Sequence, residues 1–269
     1  GYTMSLTNTD PKKVAHYPKF RWTRLTNPKI HFPMDVHKVE NLEKLVEQEL
    51  NSIPKNVLTH TAAIIIEPIQ GEGGDNHFRV EFFKMLRKFA DDNQIMLIFD
   101  EVQTGLGLTG KMWAYEHFGV VPDMLVFGKK TQVCGFCATD RILSAPKNVF
   151  KESSRINSTW GGNVVDMARF SVIVDAIKQE NLLSNAELVG NEILSQLQAL
   201  TGISNARGKG LMIAFDLENR AKRDYVYNKM QDNMMALKSG DRSVRLRPHL
   251  DFPMDEVPRL VEFTKHALS

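Results

Sequence analysis

Short apolar runs of strand length alternate with amphipathic segments in the first part of the chain. The runs Ala63–Glu67, Ile95–Phe99 and Met124–Phe127 predict strands, and Phe78–Asn93, with apolar residues at helical spacing, predicts the helix between the first two. A short helix is predicted around Trp113–Phe118. Because the strand runs are apolar throughout instead of alternating, both faces of the strands should be covered. This order predicts parallel βαβ units and an α/β fold.

The pattern of apolar positions changes near residue 165. We predict, from there on, helices at Asn163–Gln179, Ala186–Leu200 and Pro258–Leu268, and strands at Leu211–Leu217 and Val244–Leu246. We therefore predict part of a large domain with a mainly parallel sheet over residues 1–165. A smaller α+β domain follows over residues 166–269.

Charged residues stand at the ends of the three predicted parallel strands. Glu67, Asp100 and Lys129 should meet at the carboxyl edge of the sheet, where ligands of such sheets bind. Pyridoxal phosphate needs a lysine for its aldehyde and a carboxylate for its ring nitrogen, so Asp100 and Lys129 predict this cofactor. Lys130 is a rival for the aldehyde, although it should point the other way. Asp100 alone could also be a helix cap or half of a salt bridge.

Composition excludes several other classes of protein. The 269 residues are 42% hydrophobic and 25% charged, with a formal net charge of +2, so neither nucleic acid nor a membrane surface is an expected partner. No run of apolar residues is long enough to span a membrane, and the N-terminus lacks the pattern of a signal peptide. Two cysteines cannot build a disulfide framework, so we expect a cytoplasmic protein.

Two short motifs invite other interpretations. Gly105–Gly110 matches the dinucleotide fingerprint, but the acid near the expected distance of about 20 residues, Asp123, begins a strand instead of ending one, so we predict a plain loop. Cys134 and Cys137 form a C-x-x-C motif that does not begin a helix, as a thioredoxin-like motif would. A single such motif cannot fill a zinc site. The sequence therefore predicts incidental cysteines and no metal site.

Four longer motifs occur in a characteristic order. They are Glu67–Gly74, Phe99–Gly105, Pro122–Lys129 and Ser158–Asn163. Together they resemble the class III (ω-amino) aminotransferases, which have the type I pyridoxal-phosphate fold. The stretches Gly128–Gly135 and Arg155–Trp160 are most similar to the L-lysine 6-aminotransferase branch, and less so to ornithine or 4-aminobutyrate enzymes.

The resemblance implies roles for five residues at the cofactor. Lys129 would form the Schiff base and carry protons, and Asp100 would pair with the pyridine nitrogen. Val102 would pack on the ring face, and Gln103 would bond the phenolic oxygen. Thr159 resembles a residue that reaches the phosphate in the neighbouring subunit, which implies a homodimer with shared active sites.

The resemblance also implies a substrate site. Glu72 resembles the acid that pairs with a switchable arginine, which matches Arg245; Arg247 is the less favoured match, and an ordinary structural salt bridge is the alternative. Asn157 would also bind substrate. The expected reaction transfers the ε-amino group of L-lysine to 2-oxoglutarate, giving the 6-semialdehyde and glutamate. Another ω-amino donor such as ornithine, or a non-catalytic remnant of the fold, stays an alternative.

Family members carry a long N-terminal segment before the point where this sequence begins. That segment holds the first turn of the phosphate cradle, an aromatic residue that stacks on the ring, and part of the substrate-carboxylate site. The sequence begins at Gly1, without an initiator methionine. The expectation is therefore a fragment or a processed chain, in which part of the phosphate grip lies outside the sequence.

Overall fold

The computed structural model of the protein describes residues 3–9, 11–156, 159 and 161–269. The α-helices are α1 (Pro11–Val14), α2 (Val36–Asn51), α3 (Lys55–Leu58), α4 (Val80–Asp92), α5 (Val164–Gln179), α6 (Leu182–Gln198), α7 (Arg220–Gln231) and α8 (Val257–Leu268). The strands are β1 (Ala63–Ile66), β2 (Met96–Asp100), β3 (Met124–Phe127), β4 (Gly135–Ala138), β5 (Ser204–Lys209), β6 (Met212–Asp216), β7 (Leu237–Ser239) and β8 (Ser243–Leu246).

The first sheet has the strand order β1-β2-β3-β4. Strand β2 runs parallel to both β1 and β3, as the sequence predicts, with Ile66 opposite Phe99 and Asp100 opposite Val126. Strand β4 was not predicted; it pairs antiparallel with β3 and makes the sheet mixed but mostly parallel. The carboxyl ends of β1, β2 and β3 consequently share one edge.

Helix α4 covers this sheet through a cluster of phenylalanines. Phe83 is fully buried and its ring lies 4.3 Å from that of Phe118 and 5.4 Å from that of Phe99, measured between ring centroids. Phe78 and Phe82 complete the cluster on the helix side. The aromatic residues of α4 and β2 pack against each other. This contact fixes the position of β2, the strand that ends in Asp100.

Replacing Phe83 with alanine should leave a large cavity in this core. We expect the free energy of unfolding to fall by about 4 kcal/mol, measured by urea denaturation. Leu188→Ala on the exposed side of α6 is the matched control and should change stability by less than about 0.5 kcal/mol. A small loss for Phe83→Ala would show that the phenylalanine cluster does not anchor α4.

The second sheet is antiparallel, with the order β5-β6-β8-β7. Every residue of β6 is buried, and α6 and α8 contribute to the same apolar core, which includes Ile193, Phe215 and Val257. The two sheets thus have separate cores. The predicted division near residue 165 stays a prediction.

The loop after β1 connects the two sheets. Arg207 of β5, almost fully buried, donates from Nε to the carbonyl oxygen of Asp75 at 2.9 Å and from Nη1 to the Asp216 carboxylate at 2.9 Å. The Ser239 hydroxyl donates to the carbonyl oxygen of Gly71 at 2.6 Å, and the Gly240 amide donates to that of Glu72 at 3.0 Å. The loop that carries Glu72 is therefore held by the second sheet.

Within the described residues, no helix combines the length and apolar character needed to cross a membrane.

Candidate active site

The charged residues predicted at the strand ends do converge. Glu67 follows β1, Asp100 is the last residue of β2, and Lys129 lies two residues beyond β3. The amine of Lys129 interacts electrostatically with Glu67, Asp100 and Glu72, which all favour its charged form. Partial desolvation, followed by the nearby Arg245 guanidinium, outweighs these carboxylates and lowers the pKa of Lys129. A lowered pKa suits an amine that must act as a nucleophile.

Lys129 has an unusual backbone. Its φ is +52°, in the left-handed region that L-residues rarely adopt, and it begins a short 3-10 turn ending at Thr131. The turn is closed by the Gln132 amide, which donates to the Lys129 carbonyl oxygen at 2.9 Å. Strain of this kind is concentrated at functional sites and persists only where the surroundings enforce it.

The segment after β2 is anchored by Glu101, a residue whose role sequence reasoning missed. Its buried carboxylate accepts from the Thr104 hydroxyl at 2.5 Å and from the amides of Ala114 and Tyr115 at 2.9 and 2.8 Å. These bonds satisfy the charge and fix the segment. Asp100 turns the other way, with one carboxylate oxygen accepting from the Val102 amide at 3.0 Å.

Val102 lies beside the loop after β3, and Gln103 lies beside the loop after β1. A Cβ placed on Gly128 would lie 3.7 Å from both methyl groups of Val102, so this side chain sits beside the turn that carries Lys129. A Cβ on Gly71 would lie 2.4 Å from Gln103 Oε1, so only glycine leaves room for that amide. Arg245 Nη1 donates to Gln103 Oε1 at 3.3 Å. The amide oxygen of Gln103 is thereby engaged, and its NH2 group is left as a hydrogen-bond donor.

The predicted ion pair between Glu72 and Arg245 is not formed in the structure. Glu72 instead accepts from Lys13 Nζ at 2.5 Å, and this bond lowers the pKa of Glu72; Arg245 lowers it further from a greater distance. Arg245 is 8% exposed, and its Nε has no hydrogen-bond partner among the described residues. A buried guanidinium nitrogen without a partner carries a desolvation cost, which an anionic ligand that reached it would offset.

Arg247, the less favoured match, is held by structural contacts. Its guanidinium pairs with the buried carboxylate of Asp75 and donates to the carbonyl oxygens of Ile213 and Leu246 at 3.1 and 2.8 Å. It therefore has little capacity left for a substrate, which supports the preference for Arg245.

The glycine motif lies in a loop, and the two cysteines of the C-x-x-C motif form no disulfide. Gly105–Gly110 lies in a turn-rich loop and opens no helix, so the prediction of a plain loop is confirmed. Cys134 and Cys137 are free thiols, and Cys137 lies within β4. In the described part of the chain, no three His, Cys, Asp or Glu side chains are grouped closely enough to hold a metal ion.

The family model described as Aminotransferase class-III matches residues 1–268. The chain belongs to the class III aminotransferase family. Members of this family are pyridoxal-phosphate enzymes, in agreement with the cofactor predicted from Asp100 and Lys129.

Individual relatives of this class III chain are similar over its whole length. An L-lysine-epsilon aminotransferase of Amycolatopsis lactamdurans is 41% identical over 282 residues, covering 100% of this chain and 62% of the relative. A 4-aminobutyrate aminotransferase of Dictyostelium discoideum is 35% identical, covering 93% and 52%. A solved structure of lysine aminotransferase from M. tuberculosis in the internal aldimine form has a TM-score of 0.95 at 41% identity, covering 100% and 63%. The α/β, type I fold is thereby confirmed, and the chain spans about three fifths of these lysine relatives.

The strand-end side chains of the class III chain suit pyridoxal phosphate chemically. Asp100 offers a carboxylate for the ring nitrogen, Val102 an apolar surface for the ring, Gln103 an amide donor for the phenolic oxygen and Lys129 an amine for the aldehyde. The Gly71 position leaves Gln103 the space it needs. The roles themselves stay predictions. Thr159 is exposed, and Asn157 lies outside the described residues.

Glu67 gives the class III chain a testable dependence on pH. Burial, then the charges of Asp100 and Asp75, raise the pKa of Glu67 from 4.5 to about 7. The folded protein thus binds this proton more tightly than the unfolded chain does. Its stabilising effect is complete below the unfolded pKa and is lost as the pH rises through about 7.

Glu67→Gln removes the loss of stability at high pH. It keeps an acceptor for the Gly71 amide, which donates to Glu67 Oε2 at 2.9 Å. In cofactor-free protein we expect the variant and the wild type to be equally stable at about pH 4, below the unfolded pKa. Near about pH 8 the variant should be more stable by about 2 kcal/mol, as measured by urea denaturation. Parallel stability profiles of the two proteins would contradict the raised pKa.

Proposed function

We propose that this chain is the catalytic part of a transaminase that moves the ε-amino group of L-lysine to 2-oxoglutarate, giving the 6-semialdehyde and glutamate. The observation that carries the proposal is the convergence of Asp100, Gln103 and Lys129 at one sheet edge in a class III chain. Relatives named L-lysine-epsilon aminotransferase, at 41% identity over the full length of this chain, support lysine as the donor.

Each residue has a defined task in this proposal. Bound pyridoxal phosphate supplies an electron sink for the carbon from which a proton is removed. Asp100 would pair with the ring nitrogen and keep it protonated, and Lys129 would hold the aldehyde and carry a proton to and from the substrate carbon. Val102, which lies beside the turn that carries Lys129, would offer an apolar surface for the ring. Gln103 donates to the phenolic oxygen.

Arg245 is proposed to bind a carboxylate of the 2-oxo acid. Its buried guanidinium, with Nε unpartnered among the described residues, supports this role. Glu72 is proposed to neutralise Arg245 when the donor amine is bound; Arg245 already lowers the pKa of Glu72, so the two charges are within electrostatic reach. In the structure Glu72 is paired with Lys13 instead of Arg245, so the charge of Arg245 is left for the carboxylate of the 2-oxo acid.

We further propose a homodimer in which Thr159 contacts the cofactor phosphate of the partner subunit. The exposure of Thr159 supports this arrangement. Helix α5, which follows, exposes Val164, Val165 and Val172 by 77%, 65% and 67%. These exposed apolar side chains support an interface on this helix. We also propose that residues 1–165 and 166–269 form two domains. Asn157 is proposed to bind the substrate.

The second candidate is an ornithine transaminase. An ornithine aminotransferase from Plasmodium yoelii has a TM-score of 0.73 at 25% identity over 84% of this chain. A panel of ω-amines with 2-oxoglutarate distinguishes the two, with semialdehyde and glutamate measured separately. Lysine should give the highest kcat/KM. Faster turnover of ornithine would overturn the choice of donor, and no turnover together with no cofactor absorbance band would indicate a non-catalytic remnant.

A further inference from the structure

By sequence Lys130 is a rival for the cofactor aldehyde, and in the structure its amine has a different contact. Its Nζ donates to the backbone carbonyl oxygen of Gln103 at 2.6 Å. This bond joins the 3-10 turn after β3 to the segment after β2. Each segment carries part of the proposed cofactor site, since Lys129 belongs to the first and Asp100, Val102 and Gln103 belong to the second.

The surroundings of Lys130 favour a fixed position. Thr131, the next residue, is buried, and its hydroxyl donates to the carbonyl oxygen of Val133 at 2.6 Å, so the turn cannot rotate freely. Burial, then the charges of Arg247 and Lys129, lower the pKa of Lys130 to about 8, while Glu101 opposes this shift. A partly buried ammonium in such cationic surroundings needs its acceptor, and it forms a strong, short bond.

The side chain of Gln103 depends on its backbone position. Its amide packs against Gly71 and accepts from Arg245, so a small displacement of the backbone would break both contacts. Lys130 alone among these groups ties that backbone to the turn of Lys129.

We propose that Lys130 is a positioning residue that fixes the amide of Gln103 relative to the amine of Lys129. The proposal rests on the proposed function, because it assigns Gln103 to the phenolic oxygen of the cofactor. Through the amide of Gln103, Lys130 would set how tightly the phenolic oxygen of the bound cofactor holds a proton.

The test compares Lys130→Met and Lys130→Arg with Lys147→Met, an exposed-lysine control. In cofactor-free protein, hydrogen exchange of the peptide at residues 101–106 should be about tenfold faster in Lys130→Met and unchanged in Lys147→Met. In protein loaded with pyridoxal phosphate, the pH midpoint of the absorbance band should rise by about one pH unit in Lys130→Met. The rise is expected because a phenolic oxygen without its amide donor holds a nearby proton more tightly. Lys130→Arg should restore most of both signals.

The two measurements separate the possible failures. Unchanged exchange in Lys130→Met would overturn the tie between the segments. Faster exchange with an unchanged pH midpoint would reduce Lys130 to a purely structural residue and overturn the positioning role. A wild-type protein without any cofactor band would instead overturn the proposed function on which the role depends.

Discussion

Lys129→Ala is expected to abolish transamination and the absorbance band of lysine-bound pyridoxal phosphate. In the proposed function Lys129 provides both the amine that holds the aldehyde and the group that moves the proton, and the lowered pKa of that amine suits both tasks. Turnover of lysine with 2-oxoglutarate should fall by about ten-thousandfold or more, because a nucleophile and a proton carrier are lost together. Single-turnover kinetics and a spectrum of the loaded protein measure the two effects.

The matched control for this substitution is Lys147→Ala. Lys147 is exposed and lies beyond β4, away from the strand ends. It should keep wild-type turnover and the wild-type band. If Lys129→Ala retained the band, another amine would hold the cofactor, and Lys130, whose pKa is lowered to about 8, would be the first to examine.

Asp100→Asn is expected to have the second largest effect. The amide is close in size to the carboxylate and can still accept from the Val102 amide, so the segment should keep its shape. A neutral amide cannot hold the ring nitrogen in its protonated form, and the electron sink is weakened. We expect kcat to fall by about a hundredfold to a thousandfold, with a smaller change in KM.

Asp92→Asn provides the control for charge removal. Asp92 ends α4 and pairs with the exposed Lys88 at 2.6 Å, so its loss should leave kcat unchanged. A fall in kcat of less than about tenfold for Asp100→Asn would show that Asp100 does not pair with the ring nitrogen. The same result with weakened cofactor binding would leave it a purely structural carboxylate.

The parallel strands could be predicted from sequence because their apolar runs are continuous and bounded by charged residues. Met124–Phe127 was predicted with the bounds that the structure shows. Strand β4 was missed because Gly135–Ala138 is short and contains a glycine, and its strand conformation depends on pairing with β3. Helix α7 was missed because its polar sequence, rich in lysine and arginine, gives little apolar periodicity.

The residues of the candidate site could be predicted better than their contacts. Position at a strand end identified Asp100 and Lys129, since parallel strands bring their carboxyl ends together. Sequence could not show that Lys13 would occupy Glu72, because these residues are 59 positions apart and meet only through the fold. The same holds for Arg245 of β8 and Gln103 of the loop after β2. Such contacts depend on tertiary packing, on which a local pattern carries no information.

The most direct test of the central claim is to trap the cofactor on its lysine. Protein loaded with pyridoxal phosphate is reduced with borohydride, digested, and its peptides are mapped by mass spectrometry. We predict one phosphopyridoxyl group, attached to Lys129 and absent from Lys130. Attachment to Lys130, or a reduced protein without any phosphopyridoxyl peptide, would contradict the account.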